Sequence, residues 1–233
     1  MKKTNKIIVI VVFVLVVIFG VGQFFSSFNP STINPSAGNQ SNSTSSQSVA
    51  VTPATQVVAY VPAAPATSTP VEKGSCWTNS IAAPFRTDAW RCTVGNGISD
   101  PCFQIPGSTS TLLCDVNPTV ENSTSTFVLK LTQSLPASQV PPGLPPNNWA
   151  WRVQLADGTL CAPFTGTLPI TATGEVANYG CAPGPLGKDI NIFGDLNTSS
   201  SAWTANVGTL SEASSGMPTI TSSSTVLVTT VWQ

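Results

Sequence analysis

The chain contains no histidine. That absence removes serine or cysteine nucleophiles activated by an imidazole, and it removes histidine-ligated metal centres. Charge is also scarce: 8% of the 233 residues are Asp, Glu, Lys or Arg, about a third of the roughly 25% usual for soluble domains. Between Lys6 and Glu72 there is no charged residue at all. No Ser-x-x-Lys sequence occurs, so the penicillin-binding-protein pattern is missing. No window outside the first 25 residues carries a 3.6-residue apolar period, which argues against amphipathic helices. Close CxxC pairs are missing as well, so a structural zinc site has no ligand set. No cofactor is implied.

What remains divides unevenly along the chain. Residues 1–6 form a basic head with Lys2, Lys3 and Lys6. Ile7 to Phe25 follows as an apolar run of 19 residues, which as a helix spans roughly 28 Å, close to a bilayer's ~30 Å hydrocarbon core. The lysines precede the run and none follows closely, which predicts a cytoplasmic N-terminus and an extracytoplasmic remainder. A cleaved signal peptide would have a shorter apolar region and a small-residue cleavage site. Phe24 and Phe25 extend the run here, so a single-pass, uncleaved transmembrane helix is the expectation, with the membrane as a partner. Residues 26–72 are rich in Ser, Thr, Pro, Asn and Gln and read as a disordered linker. Its one apolar island, Val57-Val58-Ala59-Tyr60-Val61, fits a tether segment, with a strand docked on the domain as the alternative.

Residues 73–233 hold all six cysteines and all six tryptophans. Their six basic and nine acidic residues leave a net charge of −3. A mildly acidic domain without a basic stripe excludes nucleic acid as a partner. Outside the cytoplasm, Cys76, Cys92, Cys102, Cys114, Cys161 and Cys181 read as three disulfides. Six cysteines allow 15 pairings; neighbour pairing (Cys76–Cys92, Cys102–Cys114, Cys161–Cys181) is the expectation.

The patterning is β-like. Trp149, Trp151, Val153 and Leu155 alternate with Ala150, Arg152, Gln154 and Ala156, and Asp157-Gly158 then signals a hairpin. Further strands are predicted over 126–132, 159–164, 175–181, 190–193, 203–207 and 225–232. Seven or so short strands at this spacing predict an all-β fold, an antiparallel sandwich or partly open barrel.

The stretches Gly74-Ser75-Cys76-Trp77-Thr78-Asn79-Ser80-Ile81-Ala82, Asp88-Ala89-Trp90-Arg91-Cys92-Thr93-Val94-Gly95-Asn96 and Asp100-Pro101-Cys102-Phe103 carry a resemblance, together with Leu155 to Cys161 and Asn178 to Cys181. Residues 74–232 resemble a family of uncharacterised exported bacterial domains with six cysteines. That resemblance implies a bacterial setting and supplies no activity.

Candidate site residues follow from chemistry. Asp88, Asp100, Asp157 and Asp195 are the carboxylates from which a glycosidase-type pair could be drawn, although no motif marks a pair. Asp189 to Asn191 and Asp195 to Asn197 offer hard oxygen ligands but not the twelve-residue calcium-loop pattern. Tryptophans can stack on sugar rings; core packing is the commoner use of so large a side chain. Trp77, Trp90, Asp88 and Asp100, clustered around the first cysteines, are the candidates for ligand contact. The expected function is a non-catalytic extracytoplasmic module that binds an envelope glycan or protein. The alternative is a cell-envelope hydrolase using two carboxylates.

Overall fold

The computed structural model describes residues 52–120, 123–140, 148–181, 190–211 and 217–233. The basic head, the expected transmembrane helix and the linker up to residue 51 lie outside the described residues. No helix among the described residues is long and apolar enough to cross a membrane. Among the described residues there are twelve strands: β1 (Gln56–Val58), β2 (Val71–Asn79), β3 (Ala89–Val94), β4 (Gly97–Gln104), β5 (Thr111–Cys114), β6 (Phe127–Leu131), β7 (Arg152–Leu155), β8 (Leu160–Pro163), β9 (Ala177–Cys181), β10 (Ile190–Asn197), β11 (Thr204–Leu210) and β12 (Ile220–Trp232). The fold is all-β.

The strands make two rings rather than one sandwich or open barrel. In the first, β2 to β6 run as an antiparallel meander, and β6 returns to lie parallel to β2, from Val71 opposite Val128 to Gly74 opposite Leu131. In the second, β7 to β12 form an antiparallel meander that closes because β12 is 13 residues long. Its first half pairs with β11 and its second half with β7. Closure leaves no edge along the paired lengths, which the expected architectures would have left open.

Each disulfide is a rung of a ladder. Cys76 lies directly opposite Cys92 across β2–β3, Cys102 opposite Cys114 across β4–β5, and Cys161 opposite Cys181 across β8–β9. Neighbour pairing is therefore what the chain adopts. The sulfurs of the first two bridges sit inside the first ring with Trp90, Leu112 and Leu129, and the third belongs to the core of the second ring with Val153, Tyr179 and Ile192.

A third apolar cluster joins the rings. Phe103, Leu113 and Val128 from the first meet Trp151 and Trp232 from the second. β6 supplies both sides: Phe127, Leu129 and Leu131 face into their own ring while Val128 faces the seam. The expected alternation through Trp149 also breaks here. Trp151 packs in the seam, whereas Ala150, Val153 and Leu155 pack inside the second ring, because the strand begins only at Arg152. The hairpin that follows uses three residues, Ala156-Asp157-Gly158, with Gly158 at φ 86° and Leu155 receiving the turn's hydrogen bond from Gly158. This is the three-residue loop ending in a left-handed glycine.

The folded unit begins before Lys73. β1 lies parallel to β12, with Gln56 opposite Thr230 and Val58 opposite Trp232, and the start of β2 also lies in the stretch expected as linker. Tyr60 explains the docking of that apolar island. Its ring sits 4.9 Å from Phe103 and 5.0 Å from Trp151, centroid to centroid, completing a trio in the seam at spacings favourable for tilted aromatic contacts.

Candidate functional site

Two of the four candidate contact residues, Trp77 and Asp100, converge on one corner of the first ring, and the backbone explains how. In the β2–β3 ladder, Cys76 opposes Cys92 but Thr78 opposes Arg91. Trp77 is thus the extra residue of a β-bulge, a device that bends a strand and re-aims a side chain. On the other side of Arg91, Trp90 opposes Cys102 while Cys92 opposes Ser99, so a second irregularity falls at Asp100-Pro101. Arg91 sits between the two. Its guanidinium carbon lies 5.8 Å from the centroid of the Trp77 ring, within cation–π range, and its Nη1 donates to Asp100 Oδ2 at 2.8 Å.

Asp100 is the hub beneath this surface. Its side chain is 1% exposed. Beside Arg91, it accepts from the Ser80 hydroxyl, from the Ile81 amide at 3.2 Å and from the Ala82 amide at 3.4 Å. Ser80 Oγ in turn accepts from the Ala83 amide at 2.8 Å. A buried carboxylate so fully partnered fixes the 80–83 turn and the Arg91 fork. It has no free lone pair directed at solvent for acid–base work. Asp100 is a positioning residue.

What the hub positions is apolar and outward-facing. Trp77 is 46% exposed and Ile81 47% exposed, one stacked on Arg91 and the other anchored by its amide to Asp100. Among the six tryptophans, Trp90, Trp151 and Trp232 are buried and Trp149 and Trp203 half-buried, as core packing requires. Trp77 departs from that pattern. Sequence alternation could not single it out, since the bulge is a property of the pairing and not of the residues along one strand.

The other two candidates serve different ends. Trp90 is 3% exposed, inside the first ring, with its indole Nε1 lacking a hydrogen-bond partner among the described residues. Its edge lines a shallow groove of about 620 Å³ with Gln104, Ser110 and Leu135. Asp88 accepts both Arg86 Nε at 2.9 Å and Arg86 Nη2 at 2.6 Å. Arg86 Nη1 donates further to the carbonyls of Tyr60 (2.7 Å) and Gln233 (2.8 Å), and its guanidinium carbon lies 4.9 Å from the Phe103 ring centroid. Asp88 thereby orients a clamp that holds β1, the C-terminal residue and the seam together.

Asp157 and Asp195, the other two candidate carboxylates, are also engaged. Asp157 accepts the Thr159 amide at 2.9 Å and caps the hairpin. Asp195 is met by Asn178 Nδ2 at 3.5 Å on the surface, and Asp189 lies outside the described residues. No cluster of three or more Cys, Asp and Glu side chains that could hold a metal ion occurs among the described residues. Burial raises the Asp115 carboxyl, opposed by a hydrogen bond from Ser99 and the charge of Arg152; the same desolvation lowers Arg152.

A cavity of about 70 Å³ lies among Ala83, Phe85, Arg86, Trp149, Trp151 and Gln233, below the ~300–1,000 Å³ of small-molecule pockets. A larger open groove of about 470 Å³ is lined by Tyr60, Val61, Leu113, Asn117 and Thr126. At the Trp77 corner the chemistry on offer is surface contact: an exposed indole on a fixed backing, suited to stacking. No protein-family model, curated protein or solved structure matches this chain.

Proposed function

We propose that the chain is a membrane-tethered, extracytoplasmic binding module that holds a cell-envelope ligand against Trp77 without transforming it. The supporting observation is the pair of bulges around Arg91, which turns an indole outward and backs it with a buried ion pair. Carbohydrate is the ligand class that this surface suits best. A pyranose offers a face of C–H groups to an aromatic ring, and Ile81 and Arg91 would flank it with an apolar and a polar contact. In this reading residues 1–6 stay in the cytoplasm, 7–25 span the membrane, and the polar stretch up to the first strand spaces the module from the bilayer. The carboxylate-pair hydrolase gains no support, since Asp88 and Asp100 are both engaged in holding the fold.

The experiment is a retention assay with the full chain in detergent on immobilised envelope polysaccharide, comparing wild type with Trp77→Ala. The expected result is retention of the wild type and a loss of about 5-fold or more in the variant, on the scale of the roughly 1–3 kcal/mol that a base stacked on an aromatic side chain contributes. Equal retention of both would refute the assignment of Trp77. Retention of neither would remove carbohydrate as the ligand class.

A further inference from the structure

Among the described residues, the first half of β12 has an open edge. From Ile220 to Leu227 one side of the strand pairs with β11. The strand that closes the ring, β7, reaches only Val228 to Trp232, and β1 covers Thr230 to Trp232. Among the described residues nothing pairs with the other side of Ile220–Val226. The direction of the backbone follows from two contacts. Ala156 N donates to Leu227 O on the β7 side, and a Cβ built on Gly208 would lie 2.6 Å from Ser222 O on the β11 side. Successive residues of a strand point their amides to opposite edges, so Ser223 and Thr225, in step with Leu227, direct theirs to the open one.

Strands left open in this way are usually blunted by lysine, proline or a bulge. Here Thr219 to Gln233 contains no charge, proline or glycine. The extra residue on β12 between Ile220 and Ser222 falls at the tip and leaves Ser222 to Leu227 in regular register. Thr221, Ser222, Ser223, Ser224 and Thr225 are all exposed. The segment is also a palindrome: Ile220-Thr221-Ser222-Ser223-Ser224-Thr225-Val226, with a β-branched apolar residue at each end.

A palindromic edge is complementary to itself. We propose that two copies of the chain pair antiparallel along this edge, about a two-fold axis through Ser223. Thr221 of each copy then faces Thr225 of the other, and Ser222 faces Ser224. The outward amides of Ser223 and Thr225 find carbonyl partners, and small hydroxyl side chains meet with no like charges opposed, as an isologous interface requires. The pairing would join two second rings through a continuous β11–β12 sheet and place two Trp77 surfaces on one assembly.

The test is the mass of the full chain in detergent, by native mass spectrometry, for wild type, Ser223→Ala and Ser223→Lys. Two copies in wild type and Ser223→Ala, and one copy in Ser223→Lys with an unchanged near-ultraviolet circular dichroism spectrum, is the expected result. Ser223→Cys should in addition form a covalent dimer under mild oxidation, while Ser199→Cys, on an exposed loop, should not. A wild type that remains a single copy at its highest soluble concentration would overturn the pairing. So would a Ser223→Lys variant that keeps the doubled mass.

Discussion

At the scale of single residues, the account turns on groups whose partners are fixed by burial. Asp100 carries a charge away from water and is held by Arg91, Ser80 and two amides. Asp100→Ala strands the Arg91 guanidinium, so a loss of about 3 kcal/mol is expected in a urea titration, within the range for breaking a buried pair. Trp77→Ala at the exposed end of the same cluster should cost under about 1 kcal/mol, since a surface substitution creates little cavity. The two tyrosines, Tyr60 and Tyr179, give a second residue-level check. Burial pushes Tyr179 up to about 12, partly opposed by the Ala150 amide that donates to its hydroxyl and reinforced by Asp195. Burial also raises Tyr60, partly opposed by Arg86. A phenol whose folded value lies above its unfolded value of about 10 stabilises the fold fully below pH 10, and that contribution is lost as pH rises towards the folded value. Phenolate absorbance at 295 nm should therefore stay flat through pH 10 in the native protein and rise only as the chain unfolds above it. A midpoint at pH 10 without unfolding would place these rings in water. Neighbour pairing of the cysteines was the expectation among 15 that the sequence left open, and the ladder register is what realises it. The exposure of Trp77 was not readable, because it depends on a bulge that only the register with Arg91 creates.

At the scale of elements, legibility followed side-chain alternation. β6, β8, β9, β11 and the second half of β12 alternate or run apolar, and their predicted spans overlap the strands observed. β2 to β5 escaped detection, and for β2 and β4 there is a physical reason. β2 contains Glu72, Lys73 and Gly74, and β4 contains Asp100 and Pro101, residue types that strands usually exclude. Their extended conformation is imposed by disulfides and ring closure rather than by local preference. β1 is the opposite case. Its apolar island was visible, yet its docking depends on a distant clamp, Arg86. Arg86→Ala should release that strap: the amides of Tyr60 and Gln233, bonded to Gln233 O and Val58 O, should exchange with solvent much faster. The global cost should be at least about 1.5–3 kcal/mol, the value of one hydrogen bond to a charged group. Unchanged exchange at both amides would show that the strap is held without the clamp.

At the scale of the whole molecule, an all-β, disulfide-stapled domain was legible from composition and cysteine count, while its division into two closed rings was not. Strand pairing between sequence-distant segments, such as β2 with β6 and β7 with β12, leaves no trace in local periodicity. The rings share one aromatic seam, so they should unfold together. Trp151→Ala, at 2% exposure between Tyr60 and Phe103, should cost about 3–5 kcal/mol and shift a single transition, seen identically by far- and near-ultraviolet circular dichroism. Two separated transitions would mean that each ring folds on its own. Function, in this account, lies at the outward corner of the first ring. Site-resolved oxidation of the tryptophans in the full chain, read by mass spectrometry with and without envelope polysaccharide, addresses that most directly. The account predicts that Trp77 oxidises first among the six and is shielded when the polysaccharide is present. Oxidation of Trp77 at the same rate in both conditions, with the polysaccharide demonstrably bound, would contradict it.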